Sequence, residues 1–292
     1  ILIMNAILIA VALLGTIGAA SAAILYLVGQ KFKVIEDPLI EQVEDILPGA
    51  NCGGCGFPGC RGFASAVVRA ETMDGLFCPV GGQETMDKIA SILGKTAPTT
   101  SKKIAVVRCN GTCEYRPQTS IYDGAPSCAI EAALYGGETD CFFGCLGLGD
   151  CVEACLFDAI HINPQTLLPE VDEEKCTACG ACVKACPKDI IELRKQGPKS
   201  RRIFVSCVNE DKGAVARKAC KVACIGCSKC VQVCAFDAIT IENNVAYIDD
   251  DKCRLCRKCV PVCPTNSIWE LNFPPRKEKT SASPKEEIKK TV

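Results

Sequence analysis

Cys224-Ile225-Gly226-Cys227-Ser228-Lys229-Cys230-Val231-Gln232-Val233-Cys234 sets four thiols at C-x2-C-x2-C-x3-C spacing. The same spacing recurs at Cys176/Cys179/Cys182/Cys186 and at Cys253/Cys256/Cys259/Cys263, in a chain with 25 cysteines among 292 residues. A cubane iron–sulfur cluster needs one terminal thiolate for each of its irons. Three cysteines on a tight loop wrap three corners, and in two-cluster ferredoxins the last cysteine of each run crosses to the other cluster. Zinc sites draw instead on C-x2-C knuckles far apart in sequence. Disulfide frameworks belong to small secreted domains. Soft donors at this spacing point to [4Fe–4S] clusters.

Outward from these runs the chain repeats itself. Cys141-Phe-Phe-Gly-Cys145-Leu-Gly-Leu-Gly-Asp-Cys151-Val-Glu-Ala-Cys155 aligns without gaps on the stretch from Cys220 to Cys234, and Phe157-Asp158-Ala159-Ile160 matches Phe236-Asp237-Ala238-Ile239. Upstream, Cys109 aligns with Cys207. Two ferredoxin-like modules are therefore expected, at 104–195 and 203–272, with short strands such as His161-Ile162 and Thr240-Ile241. The single histidine, His161, reads as a strand residue.

Applying the crossover, Cys155 completes Cys176/Cys179/Cys182, Cys234 completes Cys253/Cys256/Cys259, and Cys263 completes Cys224/Cys227/Cys230. The first repeat is defective, because Leu148 stands where the second has Cys227. Its centre is expected to use Cys145, Cys151, Cys186 and one substitute. Cys109, Cys113, Cys128, Cys141, Cys207 and Cys220 remain. Repeat symmetry suggests that Cys109, Cys141, Cys207 and Cys220 share a sixth site, with Cys128 as the substitute and Cys113 left over. Exchanging Cys128 and Cys141 fits nearly as well, and simple buried thiols are the third reading. Six [4Fe–4S] clusters follow, five of them independent of this last apportioning.

Between 37 and 95 lies a small helical domain of its own. Asp37-Pro38 opens a helix as N-cap and first residue, and Ile40, Val43, Ile46 and Leu47 form its apolar stripe. Cys52, Cys55, Cys60 and Cys78, at C-x2-C-x4-C-x17-C, make a self-contained site. A later helix with Met86, Ile89, Ile92 and Leu93 is expected to close the domain, and 94–103 reads as a linker.

Residues 1–28 carry no charge, and about 20 apolar residues suffice to cross a bilayer. Lys31 and Lys33 follow at once, so the positive-inside rule places the N-terminus outside and the remainder in the cytoplasm, with residues 1–30 as a single-pass anchor. A cleaved leader would need its basic residues on the other side. The anchor has no ionisable residue that could serve as an ion site. Net charge is −1, which gives no nucleic-acid surface, and aromatics are only 5%. The tail 273–292 reads as disordered, with six basic against three acidic side chains over 276–292.

The apolar helix, the block Leu47-Pro48-Gly49-Ala50-Asn51-Cys52-Gly53-Gly54-Cys55-Gly56-Phe57-Pro58-Gly59-Cys60 and the tandem modules together resemble the B subunits of Rnf complexes. Those complexes are ion-translocating ferredoxin:NAD+ oxidoreductases of bacterial membranes. The resemblance implies an α+β chain in the bacterial cytoplasmic membrane that accepts electrons from soluble ferredoxin and passes them to membrane partner subunits. No G-x-G-x-x-G fingerprint or nucleophile elbow is present. An enzyme with its own substrate chemistry, or a redox sensor with an output domain, would need parts that are not visible here, and a relay subunit without a catalytic centre is expected.

Overall fold

The computed structural model describes residues 2–31 and 37–276. The first element, α1 (Leu2–Lys31), is a continuous helix. Its stretch Ala12–Lys31 has a mean hydropathy of 1.9 and is unburied within the protein, long and apolar enough to cross a membrane. The tail expected to be disordered falls outside the described residues from 277 onward.

The helical domain contains α2 (Pro38–Ile46), α3 (Cys60–Arg69) and α4 (Gly82–Leu93). Asp37 caps α2, its carboxylate accepting from Leu39 N–H at 2.9 Å. Ile40 and Val43 of α2 pack on Phe63, Ala64 and Val67 of α3 and on Met86 and Ile89 of α4. Lys95 Nζ donates to the carbonyls of Val67, Val68 and Ala70 at the C-terminus of α3. This satisfies acceptors that no intrahelical donor reaches. One expectation is corrected: Ile92 is 42% exposed. At 100° per residue it lies off the face that Met86, Ile89 and Ala90 bury.

The first module runs through β1 (Lys103–Val107), α5 (Cys128–Leu134), α6 (Asp150–Glu153), β2 (Ile160–Ile162), β3 (Pro169–Val171), α7 (Ala181–Ala185) and β4 (Ile191–Lys195). The second contains β5 (Arg202–Val205), α8 (Gly213–Ala219), α9 (Lys229–Gln232), β6 (Ile239–Glu242), β7 (Val245–Ile248) and β8 (Ile268–Leu271). Each module holds two antiparallel pairs: an outer pair made of its first and last strands, and an inner hairpin. Lys103 pairs with Lys195 and Val107 with Ile191; in the second module Arg202 pairs with Leu271 and Val205 with Ile268. The β6–β7 hairpin turns through Asn243 and Asn244, at φ 48° and 64°. Asparagine tolerates these left-handed angles, and the turn matches the strand twist.

The outer pairs pack on each other, with Ile104 and Val106 against Phe204 and Trp269. Little other regular structure is present, since α6, α7 and α9 are four or five residues long. Buried cysteines stand among the aliphatic side chains of both cores. Cys145 and Cys151 are buried in the first core, and Cys207, Cys220, Cys224, Cys230 and Cys259 in the second.

Candidate iron–sulfur centres

No disulfide joins any of the 25 cysteines, and sixteen of them line four cavities in groups of four. Cys52, Cys55, Cys60 and Cys78 face one cavity closed by Leu47, Phe63 and Val80. Asn51, at φ 46°, turns the loop so that its Oδ1 accepts from Cys60 N–H at 2.8 Å. Gly81 N–H approaches Cys78 Sγ at 3.4 Å. Cys155, Cys176, Cys179 and Cys182 line a second cavity. Burial pushes the Cys182 thiol up to about 11, with Cys176, Cys179 and Cys155 adding like-charge repulsion.

In the second module, burial and then Cys224 and Cys227 push Cys230 up to about 11. Ser267 N–H donates to Cys263 Sγ at 3.2 Å. Ser267 Oγ donates to the Val222 carbonyl at 2.8 Å, which ties Cys263 to the loop beginning at Cys224. Burial would raise Cys263, but the bonds from Thr265 and Ser267 outweigh it and leave the thiol below its usual range. Cys253 is raised by burial and by its neighbours Cys256 and Cys234.

The two groups that were ambiguous in sequence separate cleanly in space. Cys128 lies with Cys145, Cys151 and Cys186, whereas Cys141 lies with Cys109, Cys207 and Cys220. The latter cage takes two thiols from each module and sits at their junction. Asn209 closes it, donating from Nδ2 to Cys141 Sγ at 3.4 Å and from its backbone to Cys207 Sγ at 3.5 Å. Cys113 is exposed and apart, its Sγ 3.9 Å from the Thr166 carbonyl. His161 is an exposed residue of β2, 3.6 Å from Glu170.

Asp150 explains how Cys128 replaces the cysteine missing at Leu148. Its Oδ1 accepts from Cys128 N–H at 2.8 Å, and its Oδ2 accepts from Ala129 N–H and from Ser127 Oγ–H, both at 3.0 Å. Burial works against the ionised carboxylate, but these three donors prevail and hold its pKa below the usual value. One carboxylate therefore fixes the start of α5, with Cys128, to the loop that carries Cys151. The intact second repeat has Lys229 at the aligned position. That charge change is a signal legible in the sequence, although it lies outside any cysteine motif. Asp150→Asn puts an N–H donor where two donors already point. We expect iron at this cage to be bound about 10- to 100-fold more weakly, measured by chelator competition. Equal retention in variant and parent would refute the role.

Single thiols bring several of these groups near one another. Cys259 is raised to about 12 by burial, by Cys253 and, across the module, by Cys230. Cys207 of the junction, raised to about 12 by burial, feels Cys224. Cys145 is pushed up by burial and then by Cys109 of the junction. Cys151, raised to about 12 by burial, Cys128 and Cys186, also feels Cys182. Finally Gly54 lies against Cys179, where a Cβ would come within 2.7 Å of the Cys179 carbonyl oxygen. Only glycine allows that approach, and it brings the first cage to the first module.

Four soft donors gathered around one apolar-walled cavity match what a [4Fe–4S] cluster requires of its ligands. An Fe-S cluster family model matches residues 47–76, a 4Fe-4S binding domain matches residues 169–192, and a 4Fe-4S dicluster domain matches residues 223–267. The chain is 47% identical over 265 residues to the B subunit of the Na(+)-translocating ferredoxin:NAD(+) oxidoreductase complex of Acetobacterium woodii. That match covers 91% of this chain and 78% of the relative. It is 38% identical to the B subunit of the proton-translocating ferredoxin:NAD(+) oxidoreductase complex of Clostridium ljungdahlii, covering 91% and 93%. It is 37% identical to the B subunit of the ion-translocating oxidoreductase complex of Methanosarcina acetivorans, covering 91% and 99%.

Proposed function

The chain belongs to the B-subunit family of ion-translocating ferredoxin:NAD(+) oxidoreductase (Rnf) complexes, and we propose that it relays electrons from reduced ferredoxin along a single row of six [4Fe–4S] centres to membrane partner subunits. The observation that supports this most strongly is the unbroken succession of cages. It runs from Cys253/Cys256/Cys259/Cys234, through Cys224/Cys227/Cys230/Cys263, the junction, Cys128/Cys145/Cys151/Cys186 and Cys155/Cys176/Cys179/Cys182, to Cys52/Cys55/Cys60/Cys78. When bound, [4Fe–4S] clusters supply sites that take up and give back single electrons.

The residues of the chain do the rest. Thiolates hold each centre, buried apolar walls exclude water, and backbone N–H groups such as those of Gly81, Asn209, Ala246 and Ser267 point at the sulfurs. Such donors favour the more negative, reduced form.

The two ends of the row differ. The Cys52 domain follows α1 after six residues, 32–37, a span of at most about 25 Å, which keeps that end beside the bilayer. At the other end Cys256 and Cys227 are exposed; the exposed cations Arg254 and Lys258 flank Cys256 in the chain, while Lys252 pairs with Asp249. Arg254 and Lys258 give this loop two exposed positive charges that suit an acidic electron-carrier protein. Electrons therefore enter at Cys256 and leave at the Cys52 domain, with the N-terminus outside and the clusters in the cytoplasm, as Lys31 and Lys33 suggest.

The test uses full-length protein purified without air and mixed with reduced ferredoxin in a stopped-flow instrument. We expect about 24 irons per chain, four to a cage, and a reduction rate that falls as salt is added. Arg254→Glu combined with Lys258→Glu should slow the second-order step without loss of iron. Reduction insensitive to both salt and charge reversal would move the docking surface elsewhere, and no reduction at all would overturn the relay.

A further inference from the structure

Arg116 lies in the wall of the junction cage. Its Nη2 donates to the Cys145 carbonyl at 2.6 Å, so it touches the backbone of the neighbouring cage as well. Two glycines make room for the guanidinium. A Cβ on Gly144 would overlap it, and a Cβ on Gly111 would stand 3.3 Å from Nε and 3.4 Å from Cys220 Sγ. Nε and the cage sulfur thus both border Gly111. Arg116 Nε is buried and has no hydrogen-bond partner among the described residues.

Ser206 repeats the pattern from the other module. It is 2% exposed, its Oγ also lacks a partner among the described residues, and it lines the same cage. Buried donors left unmade are costly and rare in folded proteins. Two of them around one cage of thiols point to an acceptor inside it. Arg108, also in this wall, is otherwise engaged: it pairs with Glu192 at 3.4 Å and donates to the Val205 and Cys207 carbonyls. Arg116 has no carboxylate within ion-pair distance among the described residues.

We propose that Arg116, with Ser206, sets the redox potential at the junction, raising it by donating hydrogen bonds and positive charge to the sulfurs held by Cys109, Cys141, Cys207 and Cys220. This inference rests on the six-centre reading above. Reduction adds one electron and neither makes nor breaks a bond. With four thiolates the unit passes from a formal charge of about −2 to about −3. A guanidinium and two donors stabilise the second state more than the first. The junction then holds the electron more firmly than it would without them, at the one point where it must pass from module to module.

The experiment is an EPR-monitored redox titration of the full-length, iron-loaded chain, with iron counted on each sample. The signal missing from Cys220→Ala identifies the junction centre. Arg116→Met should make that centre at least tenfold harder to reduce, a fall of about 59 mV for a one-electron couple. Arg116→Lys keeps the charge and should recover most of the difference, and Ser206→Ala should shift the same signal the same way by less. Should Arg116→Met fail to hold iron, Arg116→Gln, which retains a donor to the Cys145 carbonyl, and Ser206→Ala carry the same expectation. Unchanged potentials in fully loaded variants would overturn the role of Arg116 while leaving six centres in place. A shift in Arg116→Lys as large as in Arg116→Met would also overturn it. About 20 irons in the parent chain, with none at the junction, would overturn the six-centre reading and this inference together.

Discussion

Stripping iron from the chain with a chelator under argon will unfold both ferredoxin-like modules and leave α1 helical. Each module has only two-stranded sheets and a few short helices, and isolated two-stranded hairpins are at best marginal in water. Several of the buried side chains in each core are themselves cage thiols. In small metal domains the binding energy is the folding energy, about 10–16 kcal/mol for a structural zinc site, and the [4Fe–4S] centres of these modules leave no comparable substitute. Alkaline pH will not rescue the stripped form. Cys151, Cys207 and Cys259 are pushed up to about 12 in the fold, from an ordinary thiol value of 9.0. Between those limits the unfolded chain sheds protons that the folded chain keeps, so stability falls as pH rises. Near-ultraviolet circular dichroism and hydrogen exchange read the outcome. Native protection of Ile203, Phe204 and Val205 without iron would contradict it.

Cys220→Ala will have the second large effect: it will cut the row in two. The junction cage is, among the described residues, the one group to which both modules contribute, Cys109 and Cys141 from one and Cys207 and Cys220 from the other. Removing a ligand there takes out the step that the proposed row places between the second module and the rest. On rapid mixing with reduced ferredoxin we expect roughly two of the six centres to reduce in the fast phase, those of the second module, with the Cys52 centre lagging far behind. Rapid-freeze EPR distinguishes them. If the Cys52 centre reduces as fast as in the parent chain, the electron has another route and the row is not linear.

Much of this is legible in the amino-acid sequence because thiolate ligation leaves a rigid trace. A cysteine cannot be exchanged at such a loop position, so Cys176/Cys179/Cys182, Cys253/Cys256/Cys259 and their repeats stand out even against hydrophobic noise. The defect at Leu148 is just as plain. Its remedy is harder to read, since Cys128 reaches the cage only because Asp150 holds α5 from 22 residues away, and no local pattern encodes such a contact. Short helices such as α5 and α8, seven residues each, lie below the length at which periodicity speaks. The i, i+3 reading groups Ile92 with Met86 and Ile89, whereas 100° per residue carries it off their face. The order of the centres depends on Gly54 meeting Cys179, a contact between segments 125 residues apart. Arg116 and Ser206 carry no motif. They stand out only in space, as donors facing the same sulfurs.

Because β1 pairs with β4 and β5 with β8, the backbone enters and departs each module along a single edge, with only Gln196 to Arg201 between the two. A unit whose ends meet can be spliced in or taken out like a cassette, without threading through its neighbours. Lengthening this conductor by a further copy would thus require one insertion at that connector, plus a pair of cysteines on either side to solder the new joint.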